Sequence, residues 1–244
     1  MAIRIVGLEG LPEVRPGGDL ANLIRNAAVR AGETIAPKTI IVVAQKIVSK
    51  AEGAIVDLRQ IEPSDFAKQW AKLWSKDARL VELILRQSRR IVRMDRGIMI
   101  AETHQGFVAA NAGVDQSNVP GEDFATVLPV DPDASARAFR VRLGCGAVLI
   151  TDSFGRPWRE GLVNVAIGVA GMEPLEDRRG SFDRDGRILT ATIVAVADEL
   201  ASAAGLVMKK AAGVPVAVVQ GFEWQGAEGA SAPLIRSRDL DLFR

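Results

Sequence analysis

Two short segments of this 244-residue chain combine an acidic side chain with glycine and small polar residues. The first, 110–118, carries Asp115, and the second, 151–159, carries Asp152. Asp, Asn, Ser and Gly also occur in turns that have no chemical role. Magnesium, however, takes one or two protein carboxylates and completes its shell with water and substrate phosphate oxygens. The two aspartates are therefore candidate ligands of a divalent metal beside a bound phosphate.

Two arginines follow the second aspartate closely. The apolar run 147–150 is typical of a buried strand, and an acid at its end, followed by Arg156 and Arg159, fills a core poorly. Guanidinium groups bind phosphate or carboxylate through paired hydrogen bonds. We interpret the two arginines as candidates for holding a substrate carboxylate, with a structural salt bridge as the alternative.

The composition excludes several classes of protein. The formal net charge is +1, with 48% hydrophobic and 25% charged residues, as in an ordinary globular protein. Such a charge gives no global support to nucleic-acid binding. No apolar run approaches the length of about 20 residues that spans a membrane, and the apolar start breaks at Gly7, too early for a signal peptide. We expect a cytoplasmic protein that binds neither nucleic acid nor membrane.

Two further features have both a chemical and a structural interpretation. The single cysteine, Cys145, excludes an internal disulfide. It has no recognisable relay with the only histidine, His104, so a small buried thiol is favoured over a nucleophile. A basic cluster within 86–96 alternates with apolar residues, which favours a solvated face, although an anionic ligand could use part of it.

The hydrophobic pattern predicts an α+β fold with mixed sheets and flanking helices, because strands and helices do not alternate regularly. Strands are predicted at 3–6, 39–44, 91–94, 98–101, 147–150, 163–169 and 216–219. Helices are predicted from Leu20 with Asp19 as cap, from Pro63-Ser64 to Trp74, from Ala78 to Gln87, from Asp133 to Leu143 and from Thr190 to Val207. The charged stretch 171–186 is predicted to be a loop, and 1–244 is treated as one functional unit.

The common nucleotide-binding motifs are missing. The chain has neither a G-x-x-x-x-G-K-[ST] run nor a G-x-G-x-x-G run after a strand. Lysines at strand exits are possible substitutes, because an ammonium is a point charge that suits phosphate. Lys46 and Lys50 directly follow the strand at 39–44. Surface solvation is the alternative role for each.

The two acidic segments and several other short sequence strings, in their order along the chain, resemble those of one family. This family is the coenzyme F420:L-glutamate ligases, also called coenzyme F420 γ-glutamyl ligases. The resemblance covers nearly the whole chain. The other strings are Gly10-Leu11-Pro12, 48–53, 128–133, 166–168, 179–180, 185–187, 197–199 and 215–216.

The resemblance implies roles for particular residues. Asp115 and Asp152 would hold a divalent metal, and Ser153 would reach a second one. The residues implied to bind GTP are Leu11, Pro12, Glu13, Val14, Gln45, Lys46, Lys50, Asn118, Met208, Lys210, Gly213 and Val214.

The resemblance also implies the reaction and the assembly. The family's ligases use GTP to add L-glutamate, through a γ-linked amide bond, to the terminal carboxylate of the deazaflavin coenzyme F420-0, by way of an acyl phosphate. One or two Mg²⁺ or Mn²⁺ ions and K⁺ are the implied cofactors. The implied architecture is two interwoven subdomains in an intertwined homodimer. Because the chain ends at Arg244 without the reductase domain of longer relatives, no flavin is expected.

One position departs from the family pattern. Lys210 stands where some members carry a glutamate that ligates the second metal, and an ammonium cannot ligate Mg²⁺. The second metal site would then be held by phosphate and water, or be lost. A metal-dependent nucleotide phosphohydrolase, a non-catalytic nucleotide-binding module and a ligase for a related acceptor remain as alternative functions.

Overall fold

The computed structural model describes residues 2–210 and 212–241, which contain six α-helices and twelve strands. The helices are α1 (Leu20–Arg30), α2 (Gln45–Ala51), α3 (Asp65–Trp74), α4 (Ala78–Arg86), α5 (Pro132–Leu143) and α6 (Val196–Met208). The strands are β1 (Arg4–Gly7), β2 (Ile40–Ala44), β3 (Ile55–Asp57), β4 (Ser88–Asp95), β5 (Ile98–Thr103), β6 (Val108–Ala110), β7 (Phe124–Thr126), β8 (Ala147–Arg156), β9 (Arg159–Ala170), β10 (Glu176–Asp177), β11 (Ile193–Val194) and β12 (Val216–Gln220). The predicted α+β class with mixed sheets and flanking helices is confirmed.

A five-stranded sheet with the order β1-β12-β2-β8-β9 forms the centre of the fold. β2 and β8 are parallel, and the other neighbours are antiparallel. Successive side chains of a strand point to opposite faces. On β2, Ile41 and Val43 therefore pack on one face with residues of α1 and α5, while Ile40 and Val42 pack on the other with residues of α6. Burying each such side chain contributes roughly 1.5–3 kcal/mol.

Residues 54–127 contribute a third apolar cluster. It includes Leu58, Val81 and Met99 and lies among α3, α4 and the sheets β4-β5-β6 and β3-β7. The two interwoven subdomains and the homodimer stay predictions. Among the described residues, no helix is both long enough and apolar enough to cross a bilayer.

The segment 151–159, which follows the strand predicted at 147–150 and has residue types common in turns, is mostly strand. β8 continues to Arg156 because β9 folds back on it and supplies hydrogen-bond partners beyond the point where β2 ends. Asp152 therefore lies inside a strand and not at its end. It nevertheless comes directly after the last pair between β2 and β8, which joins Ala44 to Thr151.

Two helix boundaries also differ from the prediction. The helix expected from Thr190 begins at Val196, because the residues before it form β11, which pairs with β10. The helix expected from Asp133 begins at Pro132, and the carboxylate of Asp131 caps it. The other predicted strands and helices are confirmed, with ends shifted by a few residues.

Candidate functional site

Four segments predicted to bear site residues meet at one edge of the central sheet. β2 and β8 run in parallel towards this edge, β12 begins there, and β1 ends there. Two backbone hydrogen bonds of 2.8 Å join the segments, from Leu8 N to the Val216 oxygen and from Ala44 N to the Pro215 oxygen. The segments at this edge are 8–14, 45–50, 152–153, and 208–215 without residue 211.

Lys46 connects this edge to the first acidic segment. It lies on α2, which follows β2 without a linker. Its Nζ donates a hydrogen bond of 2.7 Å to Asp115 Oδ2 and another to Ser117 Oγ. Burial disfavours the charged form of Asp115, but the hydrogen bonds from Lys46 and Ser117 outweigh burial and lower the pKa of this carboxyl. Asp115 is therefore a partly buried carboxylate that is already paired with the ammonium group of Lys46.

An unusual backbone turn positions Asp115. Asn111, Ala112 and Gly113 have φ values of 52°, 51° and 72°, and Ala112 is buried. Left-handed backbone is costly for a non-glycine residue and occurs where the surrounding structure enforces it. After this turn, Asp115 exchanges backbone hydrogen bonds of 3.0 and 2.8 Å with Thr126. The expected turn in 110–118 is thus present, and it fixes the carboxylate firmly.

Asp152 lies near Asp115, but its pKa is changed in the opposite direction. Burial raises the pKa of Asp152, and the charge of Asp115 raises it further. Hydrogen bonds from the Ser153 amide, at 2.8 Å, and from the Gln45 side chain oppose this change only in part. The negative charge of Asp152 is therefore only partly compensated by the protein, so a cation placed here would be stabilised.

The donor set fits one hard divalent ion. Residues 2–210 and 212–241 contain no group of three or more His, Cys, Asp and Glu side chains that could hold a metal. Asp115 and Asp152 form a pair, which is the number of carboxylates that Mg²⁺ takes when phosphate and water complete its shell. The Ser153 hydroxyl donates to Asn164 Oδ1 at 3.1 Å, so its oxygen keeps a lone pair for a further contact.

Lys50 brings a second ammonium group to the same edge. Its side chain is 6% exposed and donates to Glu13 Oε1, whereas the Glu13 side chain is 71% exposed. Next to Glu13, Val14 is buried and Pro12 is exposed, while Leu11 packs against the core. The lysine is thus held firmly by its surroundings and paired with a carboxylate that solvent reaches.

The segment after α6 lies against the end of β1. Met208 and Val214 are buried, while Lys210 is exposed. A side chain at Gly7 would come within 2.8 Å of Val214 Cγ1, so these two residues approach closely. Gly213 has a φ of +65°, which allows the loop to turn back towards β12.

Two of the predicted site residues lie apart from this cluster, whereas Asn118 directly follows Ser117. Arg156 and Arg159 lie at the tip of the β8–β9 hairpin, about 13 Å along the strand from Asp152. Arg156 donates to the Glu160 oxygen at 2.7 Å, and its buried Nε atom has no hydrogen-bond partner. Asn118 is exposed, with a φ of 58°. Within one chain the two arginines are not brought to the acidic pair.

Two members of the cluster were missed as functional residues. Ser117 lies inside the first acidic string, and its placement between Asp115 and Asn118 was an available signal. Asn164 gives no such signal, because its contact with Ser153 depends on the register of β9 against β8.

Cys145 is buried, as expected for a structural thiol. Burial raises its pKa to about 11. Its Sγ donates to the Ala147 oxygen at 3.5 Å. The thiolate, which is the nucleophilic form, is therefore scarce at neutral pH.

Comparison with known proteins identifies the family. The family model described as F420-0:Gamma-glutamyl ligase matches residues 10–221. The chain is 48% identical to the coenzyme F420:L-glutamate ligase of Methanothermobacter thermautotrophicus, over 100% of both chains. It is also 48% identical to that of Methanopyrus kandleri, over 95% of this chain and 94% of the relative, and 41% identical to that of Methanocaldococcus jannaschii, over 99% and 97%. The chain therefore belongs to the F420-0:gamma-glutamyl ligase family.

Proposed function

We propose that this chain is a GTP-dependent ligase of coenzyme F420 biosynthesis that joins L-glutamate to coenzyme F420-0. One observation carries the proposal: two lysines of α2 and two carboxylates from two other segments, all predicted as site residues, lie at one edge of the central sheet. The names of the relatives, which match this chain over nearly its full length, support the choice of substrates.

The nucleotide phosphates would lie over the start of α2. Lys46 and Lys50 provide ammonium groups there, and each is paired with a carboxylate. Because Glu13 is largely exposed, it can move into solvent when a phosphate takes its place beside the buried ammonium of Lys50. Residues 8–14, 208–210 and 212–214 flank this position and would contact the rest of the nucleotide.

Asp115 and Asp152, with Ser153 beside them, would hold Mg²⁺ or Mn²⁺. A divalent ion held there would neutralise charge on the transferred phosphoryl group. Asp152 contributes a charge that the protein leaves partly uncompensated, whereas Asp115 must give up its contact with Lys46. Lys46 is then free to move towards the phosphates.

The proposed reaction has two steps. The terminal carboxylate of the acceptor attacks the γ-phosphorus of GTP, the bond to the β–γ bridging oxygen breaks, and an acyl phosphate and GDP form. The α-amine of L-glutamate then attacks the acyl carbon, phosphate leaves, and the amine loses a proton as the amide forms. Lys46 and Lys50 would stabilise the charge that spreads over the phosphoryl oxygens.

Mass spectrometry of the products tests the proposal. Purified protein is incubated with the deazaflavin acceptor, GTP, L-glutamate, Mg²⁺ or Mn²⁺, and K⁺. We expect a product heavier by one or more glutamyl residues and a matching amount of GDP. GDP formed equally well without acceptor and glutamate would instead identify a phosphohydrolase. Glutamylation of a related compound in preference to F420-0 would correct the acceptor.

We also propose that the active protein is a homodimer. Large apolar side chains are exposed on the β8–β9 hairpin and in the stretch 176–194, among them Trp158, Leu162, Phe182 and Ile188. Exposed apolar surface of this kind is typical of interfaces. Light scattering after size-exclusion chromatography should give twice the mass of 26.1 kDa. A monomer that retains ligase activity would contradict this part of the proposal.

A further inference from the structure

A cavity of about 240 Å³ lies outside the cluster of lysines and aspartates described above. It is large enough for a phosphate or carboxylate group together with the atoms that carry it. Its lining residues are Arg89, Glu102, Gly106, Ile235, Arg236 and Arg238.

Positive charge dominates this cavity. The Glu102 side chain is 8% exposed, and Arg90 pairs closely with its Oε2 through bonds of 2.8 and 3.1 Å. Arg89 and Arg238 approach the same carboxylate only to 3.7 and 3.6 Å, beyond the usual hydrogen-bond length. Arg236 adds a further guanidinium to the lining. Glu102 thus keeps the arginines close together without neutralising their charge.

The fold brings these arginines together from two distant segments. Arg90 lies opposite Glu102 in the pairing of β4 with β5, and a register shift falls between Ser88 and Arg90. Arg89 is the additional residue at that shift, and such bulges redirect a side chain. Arg236 and Arg238 come from the segment that follows β12. The clustered arginines therefore present positive charge to solvent, where an anion can reach it.

The cavity continues towards the acidic pair. A neighbouring cavity of about 220 Å³ shares Gly106, Ile235 and Arg236 with it. Apart from Asp198, its other lining side chains are apolar, such as Phe154 and Val165. Val165 is the cross-strand partner of Asp152. Phe154 is two residues from Asp152 on the same face of β8, a distance of about 7 Å. The two cavities share lining residues and form a groove that is cationic at one end and, at the other, is lined by the strand neighbours of Asp152.

We propose that the arginine-lined cavity binds an oxyanion, a phosphate or a carboxylate, carried by the acceptor at a distance from its reacting carboxylate. The apolar part of the groove would hold the body of the acceptor, and the reacting carboxylate would lie beside Asp152. This assignment rests on the proposed ligase function. It makes Arg89, Arg236 and Arg238 binding residues for the acceptor and not for GTP or L-glutamate.

Steady-state kinetics of matched variants test the assignment. Arg89→Gln, Arg238→Gln and the double variant Arg236→Gln/Arg238→Gln are compared with Arg93→Gln, which removes the same charge from an exposed position on the same strand. We expect KM for the acceptor to rise about tenfold or more in each cavity variant. KM for GTP and for L-glutamate should stay within about twofold of wild type. Arg93→Gln should match wild type throughout.

A binding measurement separates this assignment from the ligase function itself. Calorimetric titration with inorganic pyrophosphate, at saturating GDP and Mg²⁺, needs no turnover. Weaker pyrophosphate binding in the cavity variants but not in Arg93→Gln supports an oxyanion site, even if wild type makes no glutamylated product and the proposed function fails. Weaker pyrophosphate binding with an unchanged KM for the acceptor would assign the cavity to free phosphate and overturn our proposal. Folded cavity variants that match wild type in both measurements would overturn it completely.

Discussion

Replacing Asp152 with asparagine should separate activity from stability. The substitution keeps the size of the side chain and removes a charge that burial and Asp115 both disfavour. If this charge holds the metal, its loss removes several kcal/mol of stabilisation from the transferred phosphoryl group. A loss of about 3–4 kcal/mol corresponds to a fall in ligation rate of about 150- to 900-fold.

The same substitution should leave the metal-free protein as stable as wild type or more stable. Because the folded protein raises the pKa of Asp152, this group stabilises the fold only at low pH, and the stabilisation is lost as the pH rises through the folded pKa. The asparagine side chain of the variant cannot lose a proton, so in the presence of a chelator the variant should gain most over wild type at neutral pH. Each kcal/mol gained raises Tm by about 2–4 °C in a chain of this size.

Three measurements check the prediction: product formation by mass spectrometry, Mn²⁺ binding by paramagnetic resonance, and Tm at acidic and neutral pH with a chelator. Asp185→Asn, which removes an exposed carboxylate, is the matched control and should resemble wild type in all three. Near-normal ligation by Asp152→Asn would refute the metal role. A markedly lower Tm would refute the electrostatic reasoning.

Three further predictions concern single side chains. If Lys210 neutralises a phosphate in place of a missing metal, Lys210→Glu should lower GTP affinity about tenfold or more and increase the dependence on Mn²⁺; superimposable titrations of GTP and Mn²⁺ would rule this out. Cys145→Ser should retain ligase activity, and wild-type Cys145 should react slowly with a thiol reagent at pH 7, because burial raises its pKa to about 11; loss of product in a folded variant would restore the nucleophile interpretation. Asp133→Ala should destabilise the fold by about 3 kcal/mol, since its carboxylate accepts hydrogen bonds of 2.7 and 3.0 Å from the amides of Val169 and Ser231, which would lose their partner; chemical denaturation would show a smaller change if water replaces the carboxylate.

Local patterns predicted the elements that depend on local interactions. The apolar spacing from Leu20 and the Asp19 cap gave α1, whose first turn the Asp19 carboxylate does cap through Asn22 N at 2.9 Å. The β-branched run before Ala44 gave β2, since such a run is typical of a strand buried on both faces. The two acidic strings could also be recognised as candidate site segments. A carboxylate next to a buried apolar run fills a core poorly, which indicates a chemical role.

Contacts between distant segments could not be predicted in this way. Lys46 and Asp115 meet only because α2 and the turn after β6 are both packed at the sheet edge. The extension of β8 depends on pairing with β9, so Asp152 was expected at a strand end. The position of Arg89 depends on a register shift between β4 and β5, which the sequence of neither strand predicts by itself.

The order of the central sheet has a consequence for synthesis of the chain. β12 lies between β1 and β2 and pairs with both, yet its sequence is made about 170 residues after that of β2. At about 5–20 residues per second, β1 and β2 wait some 10–35 s on the ribosome for the strand that joins them. Residues 54–127, with an apolar cluster of their own, can condense during that interval. Emergence of β12 from the ribosome should therefore trigger closure of the sheet, and with it assembly of the edge where Lys46, Lys50 and Asp152 converge.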